Sequence, residues 1–89
     1  MEFEWDENKA AMNLAKHGIP FEYAARVFLD PYRLEEEDLI EYEEEVRHRV
    51  IGMVDDRVLL VVYAEGFSQT RIISARRATR HERRKYHEI

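Results

Sequence analysis

Residues 46–75, VRHRVIGMVDDRVLLVVYAEGFSQTRIISA, determine the fold that this chain can adopt. The stretch contains three runs rich in β-branched and other apolar residues, which predict strands over 46–54, 57–65 and 70–75. The intervening residues, 55–56 and 66–69, are so few that neighbouring strands must form antiparallel hairpins. The middle run is apolar on both faces, which favours a central strand. Arg47 and Arg49 make the first run more polar, which favours an edge or one-sided position for it.

A short strand and a helix are predicted at the N-terminus. The strand covers residues 3–5, and Asp6 is a suitable N-cap for a helix that runs to Lys16. Gly18 is a suitable left-handed C′ residue for the end of this helix. The apolar residues of this helix that share one stripe, and that we expect to face the sheet, are Ala11, Leu14 and Ala15.

Two further helices complete the prediction. Pro20 suits the first turn of a second helix, which ends at Asp30-Pro31 because the residue before proline disfavours the α conformation. Thr79 and Glu82 match a capping box that opens a C-terminal helix to about residue 89. The apolar side chains that can anchor this last helix are Tyr86 and Ile89. We therefore expect it to dock loosely.

The predicted order of elements is β-α-α-β-β-β-α. This order is typical of an α+β fold with a small antiparallel sheet, two N-terminal helices packed on it and a C-terminal helix. A chain of 89 residues provides one small domain, residues 1–89. The acidic run at 35–45, EEEDLIEYEEE, has little apolar content, and we expect either a mobile loop or a solvated edge of the sheet.

The composition limits the possible classes of protein. With 45% hydrophobic and 37% charged residues, the chain is globular rather than disordered. The absence of cysteine excludes a disulfide scaffold and a cysteine-based zinc site. The chain shows neither a signal peptide nor an apolar run long enough to span a bilayer, so we expect a cytoplasmic protein without membrane association.

The net charge of −5 argues against a nucleic-acid-binding protein only while it is taken as an average. Residues 1–45 contain four basic and fourteen acidic side chains, a net charge of −10, whereas residues 46–89 contain ten basic and five acidic ones, a net charge of +5. Such asymmetry indicates either a polyanion-binding surface or two solvated faces that partly neutralise each other.

Residues 71–86, RIISARRATRHERRKY, carry the strongest local signal for chemistry. Six of their seven basic side chains are arginine, which binds phosphate bidentately. Arginines at a strand end and on an adjacent helix can form a phosphate cradle and stabilise a phosphoryl transition state, although arginine-rich helices are also common as solvated surfaces. The sequence contains no metal-binding motif, glycine-rich phosphate loop or nucleophile elbow, and we expect no metal and no cofactor.

The sequence resembles the BrnT toxin family along nearly its whole length. The N-terminal part of the resemblance lies in Phe3-Glu4-Trp5-Asp6, Lys9, Asn13, Lys16-His17-Gly18, Phe21-Glu22, Ala25, Phe28 and Asp30-Pro31. The later part lies in Arg47, Gly52, Tyr63, residues 71–76 (RIISAR), Ala78, Glu82 and Tyr86.

This resemblance implies a ribonuclease toxin of a type II toxin–antitoxin system, with a RelE-like fold, that cleaves RNA and thereby arrests translation and growth. It implies a BrnA-like antitoxin partner with a ribbon-helix-helix fold. Toxin and antitoxin would form a heterotetramer that represses its own promoter and contacts operator DNA only through the antitoxin.

For metal-independent attack of a ribose 2′-hydroxyl on the adjacent phosphate, we expect Arg71 and Arg76 to stabilise the transition-state charge. The full set of candidate catalytic residues is His17, Arg71, Arg76, Glu82 and Tyr86, and the candidate substrate-binding residues are Lys16, Arg47, Arg80 and Arg83. His48 is a further possible proton carrier.

Several of these residues have a structural alternative. Glu82 is explained by its capping box, His17 can cap helix carbonyls, and Tyr86 can anchor its helix rather than contact a base or phosphate. As a hypothesis, the acidic segment 35–45 competes with RNA for the arginines. The alternatives to a ribonuclease are a nucleic-acid-binding module without catalysis and a co-repressor or interaction protein.

Overall fold

The computed structural model describes residues 1–42, 45–66 and 68–88, and it describes the side chains of residues 1–36, 46–66 and 68–88. Residues 43–44 of the acidic run, Phe67 of the second predicted turn and Ile89 of the last helix lie outside the described residues. The strands are β1 (Phe3–Glu4), β2 (Leu34–Tyr42), β3 (Glu45–Val54), β4 (Arg57–Glu65) and β5 (Thr70–Arg77). The helices are α1 (Glu7–His17), α2 (Phe21–Ala24), which continues as a 3₁₀ helix (Ala25–Leu29), and α3 (Arg80–His87). None of these described helices is long and apolar enough to cross a membrane.

The five strands form one sheet in the order β1-β5-β4-β3-β2. The predicted hairpins are confirmed, because β4 pairs antiparallel with both β3 and β5. β4 is the central strand, as its apolar character on both faces predicts. β1 pairs parallel with β5, so the sheet is mixed rather than purely antiparallel. The α+β class, with helices packed on a small sheet, is confirmed.

The acidic run forms the edge strand β2 as far as residue 42, which is one of the two alternatives that its composition allowed. β2 pairs antiparallel with β3, with Leu34 opposite Ile51 and Glu36 opposite Arg49. Of the two alternatives for β3, an edge or a one-sided position, the edge position is therefore wrong. A solvated edge strand is held by backbone hydrogen bonds and often carries charged side chains, so apolar content is a poor guide to it.

Helices pack on both faces of the sheet. On one face, which we call the helix face, α1, α2 and the 3₁₀ helix cover a core that includes Val50, Leu59, Val61, Tyr63, Ile72 and Ala75. On the opposite face, α3 packs through Tyr86 against Ile51, Val58 and Leu60. α3 has eight residues and is about 12 Å long, whereas the nine residues of β4 extend over about 30 Å. Part of this second face therefore stays uncovered.

α1 contacts the sheet through a polar residue. Both of its predicted caps are confirmed. The residues expected to face the sheet are instead exposed, namely Ala11, Leu14 and Ala15. Asn13 is buried, donates to the carbonyl of Ala75 (2.8 Å) and accepts from the Ala75 N–H (3.1 Å). Beyond the end of the short β1, this amide supplies the hydrogen bonds that β5 would otherwise form with a neighbouring strand. The spacing of apolar residues in α1 does not reveal this contact.

α3 is held more firmly than its sequence predicts. The predicted capping box is confirmed, and Tyr86 is buried. Lys85 Nζ also forms an ion pair with Glu36 on β2 (2.8 Å), and Arg83 donates to the carbonyl of Ala78 (3.0 Å). The expectation of loose docking is therefore wrong, because it counted apolar anchors only.

Candidate functional site

The part of the sheet that α3 leaves uncovered carries arginines from two strands. The register places Arg47 of β3 and Arg71 of β5 on either side of Ala64 in β4. Neighbouring strands are about 4.8 Å apart, so the backbones of Arg47 and Arg71 are separated by about 10 Å and both side chains can reach a ligand above Ala64. Arg76 lies opposite Leu60 on the same face.

A β-bulge brings the two arginines of β5 to this face. Arg71 and Arg76 are five residues apart, and regular alternation would place them on opposite faces of the sheet. The register between β4 and β5 shifts after the pair of Tyr63 with Ile72, so that Val62 pairs with Ser74. The extra residue reverses the alternation, and both guanidinium groups therefore start from the same face.

Arg49 adds a fourth arginine that the sequence analysis did not identify as a site residue. It lies opposite Val62, one row from Arg47 and on the same face. Within the described part of the chain, its buried Nε has no hydrogen-bond partner. A buried donor without a protein partner is unusual, and an ordered water is one way to satisfy it. The signal in the sequence was the spacing of Arg47 and Arg49, because residues two apart in a strand share a face.

We call this surface the arginine face. Its arginines are Arg47, Arg49, Arg71 and Arg76.

Arg76 is fixed in a bidentate ion pair with Glu82 of α3. Its Nη1 and Nη2 donate to the two carboxylate oxygens at 2.8 and 2.9 Å, and the Thr79 N–H donates to the same carboxylate at 2.8 Å. The hydrogen bonds from Arg76 outweigh the effect of burial and lower the pKa of Glu82 to about 2. Glu82 is therefore a weak proton acceptor near neutral pH, and its contacts orient the guanidinium group of Arg76.

Arg71 forms a longer and more exposed ion pair with Glu4 of β1. Its Nε lies 3.4 Å from Oε1 of Glu4, and the two side chains are 51% and 43% exposed. An ion pair as exposed as this contributes little to stability, so a phosphate can replace the carboxylate of Glu4 at small cost.

Tyr86 is engaged away from the arginines. Its hydroxyl donates to Oδ2 of Asp30 (2.5 Å), and Asp30 also accepts from the N–H groups of Met53 (2.8 Å) and Tyr32 (2.9 Å). Burial, together with the hydrogen bond to Asp30, raises the pKa of Tyr86 to about 12. Of the two roles open to Tyr86, this geometry favours the anchor of α3.

The remaining candidate residues lie on α3 beside the arginine face or on the opposite, helix face of the sheet. Lys16 and His17 are exposed in the last turn of α1, which packs on the helix face. Arg80 and Arg83 are exposed in the first turn of α3, close in sequence to Glu82. His48 stacks on Tyr63 (5.2 Å between ring centroids) and also points to the helix face. The structure therefore brings together the arginines of the two strands with Glu82 and separates the two histidines from them.

The described side chains include no group of three histidine, aspartate or glutamate residues that would hold a metal ion.

One comparison with known proteins identifies a family. A family model described as ribonuclease toxin, BrnT, of type II toxin–antitoxin system matches residues 5–82. The matched region contains all four arginines of the arginine face as well as Glu82. A search of curated proteins found no match.

Proposed function

Because the chain belongs to the BrnT family of ribonuclease toxins of type II toxin–antitoxin systems, we propose that it cleaves RNA by attack of a ribose 2′-hydroxyl on the adjacent phosphate. The 2′-oxygen bonds to phosphorus and the 5′-oxygen leaves, so the products are a 2′,3′-cyclic phosphate and a 5′-hydroxyl. The reaction adds negative charge at phosphorus in the transition state. Guanidinium groups can stabilise that charge without a metal ion.

The observation that carries the proposal is the presence of four arginines on one face of the sheet, which α3 covers only in part. We assign transition-state stabilisation to Arg71 and Arg76, which the bulge in β5 places on the same face. Arg47 and Arg49 lie across β4 from them, where they can hold a neighbouring phosphate of the RNA strand. Glu82 acts as a positioning residue, because it fixes the guanidinium group of Arg76 in a bidentate pair.

Proton transfer plays a smaller part in this proposal than charge stabilisation. The pKa of Glu82 is held far below neutrality by Arg76, and His17 and His48 lie on the opposite side of the sheet. None of these groups is placed as an efficient general base for a substrate on the arginine face. We therefore assign most of the rate enhancement to arginine electrostatics, with solvent accepting the proton of the 2′-hydroxyl and supplying a proton to the leaving 5′-oxygen.

The family implies an antitoxin partner. We propose that this partner is a BrnA-like ribbon-helix-helix protein, that the two chains form a heterotetramer, and that the complex contacts operator DNA only through the antitoxin. Free toxin would then act on RNA in the cytoplasm, where translation takes place. Coexpression of the two genes and measurement of the mass of the purified complex test the stoichiometry.

The proposed chemistry is tested with two substrates and a chelator. Purified protein is expected to cleave single-stranded RNA at the same rate with and without EDTA, and to leave intact the same oligonucleotide carrying a 2′-deoxy residue at the cleaved position. Rapid cleavage of the 2′-deoxy substrate would exclude attack by the 2′-hydroxyl. Salt-dependent binding of RNA that stays intact would instead support a non-catalytic nucleic-acid-binding module.

The structure sharpens the hypothesis that the acidic segment 35–45 opposes RNA binding. Among the described acidic side chains of this segment, Glu36 lies beside Arg49 and binds Lys85, whereas Glu35 accepts from the Tyr63 hydroxyl (3.0 Å) on the helix face. Glu36→Gln is expected to tighten binding of a non-cleavable 2′-O-methyl RNA about two- to fivefold at low salt, because it removes one half-buried negative charge beside Arg49. Glu35→Gln is the matched control, with an unchanged dissociation constant expected. Equal effects of the two substitutions would contradict this role for Glu36.

A further inference from the structure

A cavity of about 340 Å³ lies at the edge of the sheet where β1 ends and α1 begins. Its volume lies within the range of small-ligand sites, roughly 300–1,000 Å³. We call this cavity the Trp5 notch; its aromatic and charged lining residues are Glu4, Trp5, Asp6, Lys9 and Arg71. The proposed mechanism uses Arg71 and leaves the other four without a role.

Trp5 offers the notch a surface for stacking. The residue is half-buried, and its ring packs edge-on against Phe21, with 5.9 Å between ring centroids and an interplanar angle of 79°. Trp5 therefore packs against the core, as its type predicts, and also lines an open cavity. Any of the four nucleobases can stack on such a ring, because every base has a π-face.

The charges of the notch suit an uncharged ligand. Glu4 and Asp6 carry two negative charges, and Lys9 and Arg71 carry two positive charges, so the formal sum at the lining is zero. A phosphate gains little net attraction from such a set of side chains. A base has both hydrogen-bond donors and acceptors. The carboxylates of the notch can accept from the donors, and its cationic side chains can donate to the acceptors.

The notch is continuous with the arginine face through Arg71. This side chain lines the notch and also belongs to the row that crosses the sheet through Ala64 to Arg47. A strand of RNA whose phosphate is held by Arg71 would therefore have a neighbouring base within reach of Trp5. We propose that the Trp5 notch binds an unpaired nucleobase of the RNA substrate, an inference that rests on the proposed ribonuclease function.

Trp5 is the only tryptophan of the chain, so its indole N–H gives a single side-chain signal in a ¹H–¹⁵N correlation spectrum. The probe is a 2′-O-methyl tetranucleotide, which cannot undergo attack by the 2′-hydroxyl. The matched control is the same backbone without bases. A saturable shift of the indole signal is expected with the first probe and no shift with the second. The absence of a shift, or equal shifts with both, would overturn the proposal.

Variants extend this test to catalysis. Trp5→Leu is expected to lower kcat/KM on single-stranded RNA about tenfold or more, whereas Trp5→Phe, which retains a ring against Phe21, stays within about threefold of the unaltered protein. If Trp5→Leu fails to fold, Lys9→Gln tests the same notch, with weaker binding expected than for the control Arg57→Gln. An unaltered RNA affinity of Lys9→Gln would contradict binding of a base in the notch. An unaltered kcat/KM of a folded Trp5→Leu would contradict it as well.

The two proposals fail in different ways. An indole shift in a protein that never cleaves RNA would retain the notch and reject the ribonuclease mechanism. Cleavage of RNA without any indole shift would retain the mechanism and reject the notch.

Discussion

Arg76→Ala and Arg71→Ala are each expected to reduce RNA cleavage by at least about 10²–10³-fold and to abolish growth arrest on induction without the antitoxin. Each removes a positive charge from the face on which negative charge develops at phosphorus, and the loss of one such donor typically costs this much in rate. The measurement is the single-turnover rate with purified protein, together with a growth curve after induction.

Two controls separate catalysis from folding in this experiment. Arg57→Ala removes an exposed arginine beside the β3–β4 turn, away from the arginine face, and should leave the rate unchanged. Arg76→Lys keeps the charge but loses the bidentate pair with Glu82, so an intermediate rate is expected. Wild-type rates in both alanine variants, with thermal unfolding showing that they are folded, would contradict the assignment.

Asp30→Ala is expected to cause the largest loss of stability among single substitutions outside the apolar core, about 3–5 kcal/mol in the free energy of unfolding. Asp30 is buried and accepts hydrogen bonds from three groups, the Tyr86 hydroxyl and the N–H groups of Met53 and Tyr32. Its removal leaves buried donors without partners at roughly 1–3 kcal/mol each. It also releases the end of α3 from β3, and denaturant unfolding measures the effect.

Two comparisons test this role of Asp30. Tyr86→Phe removes one of the three hydrogen bonds and should cost about 1–2 kcal/mol, while Glu22→Gln, at an exposed site on α2, should cost almost nothing. Equal, small losses for all three variants would show that the buried carboxylate does not hold α3.

The charge of Asp30 also gives this stability a pH dependence. Burial raises the pKa of Asp30, but its hydrogen bonds from Tyr86, Met53 and Tyr32 outweigh burial and lower it below the ordinary value. A lowered pKa means that the carboxylate stabilises the folded state above its unfolded pKa. That contribution is lost as the pH falls through the folded pKa. In Asp30→Asn, the free energy of unfolding should therefore fall less steeply at acidic pH than in the unaltered protein, as measured by denaturant unfolding at a series of pH values.

The parts of the fold that could be predicted from sequence are those that local chemistry determines. The hairpins follow from short connections, the start of α1 from the Asp6 cap, and the start of α3 from the capping box of Thr79 and Glu82. The N-terminal end of each helix has unsatisfied N–H groups that a neighbouring side chain must bind, and such pairs are visible in the sequence.

The parts that could not be predicted depend on distant contacts. Asn13 is buried because β1 stops short and leaves part of β5 without a neighbour, which only the assembled sheet reveals. The bulge beside Ile72 is equally invisible, although it decides whether Arg71 and Arg76 share a face. The arginine-rich segment 71–86 is visible in the composition, whereas the placement of Arg49 on the same face as Arg71 and Arg76 needed the register of the strands.

The identity of the new RNA ends distinguishes metal-independent cleavage on the arginine face from other routes of cleavage. Products of a defined oligonucleotide, cleaved in the presence of EDTA, are analysed by mass spectrometry. A 2′,3′-cyclic phosphate is expected on one fragment and a 5′-hydroxyl on the other, and both should be strongly reduced in a reaction of the same length with Arg76→Ala. A 3′-hydroxyl and a 5′-phosphate, or cleavage that stops when EDTA is added, would contradict metal-independent attack by the 2′-hydroxyl.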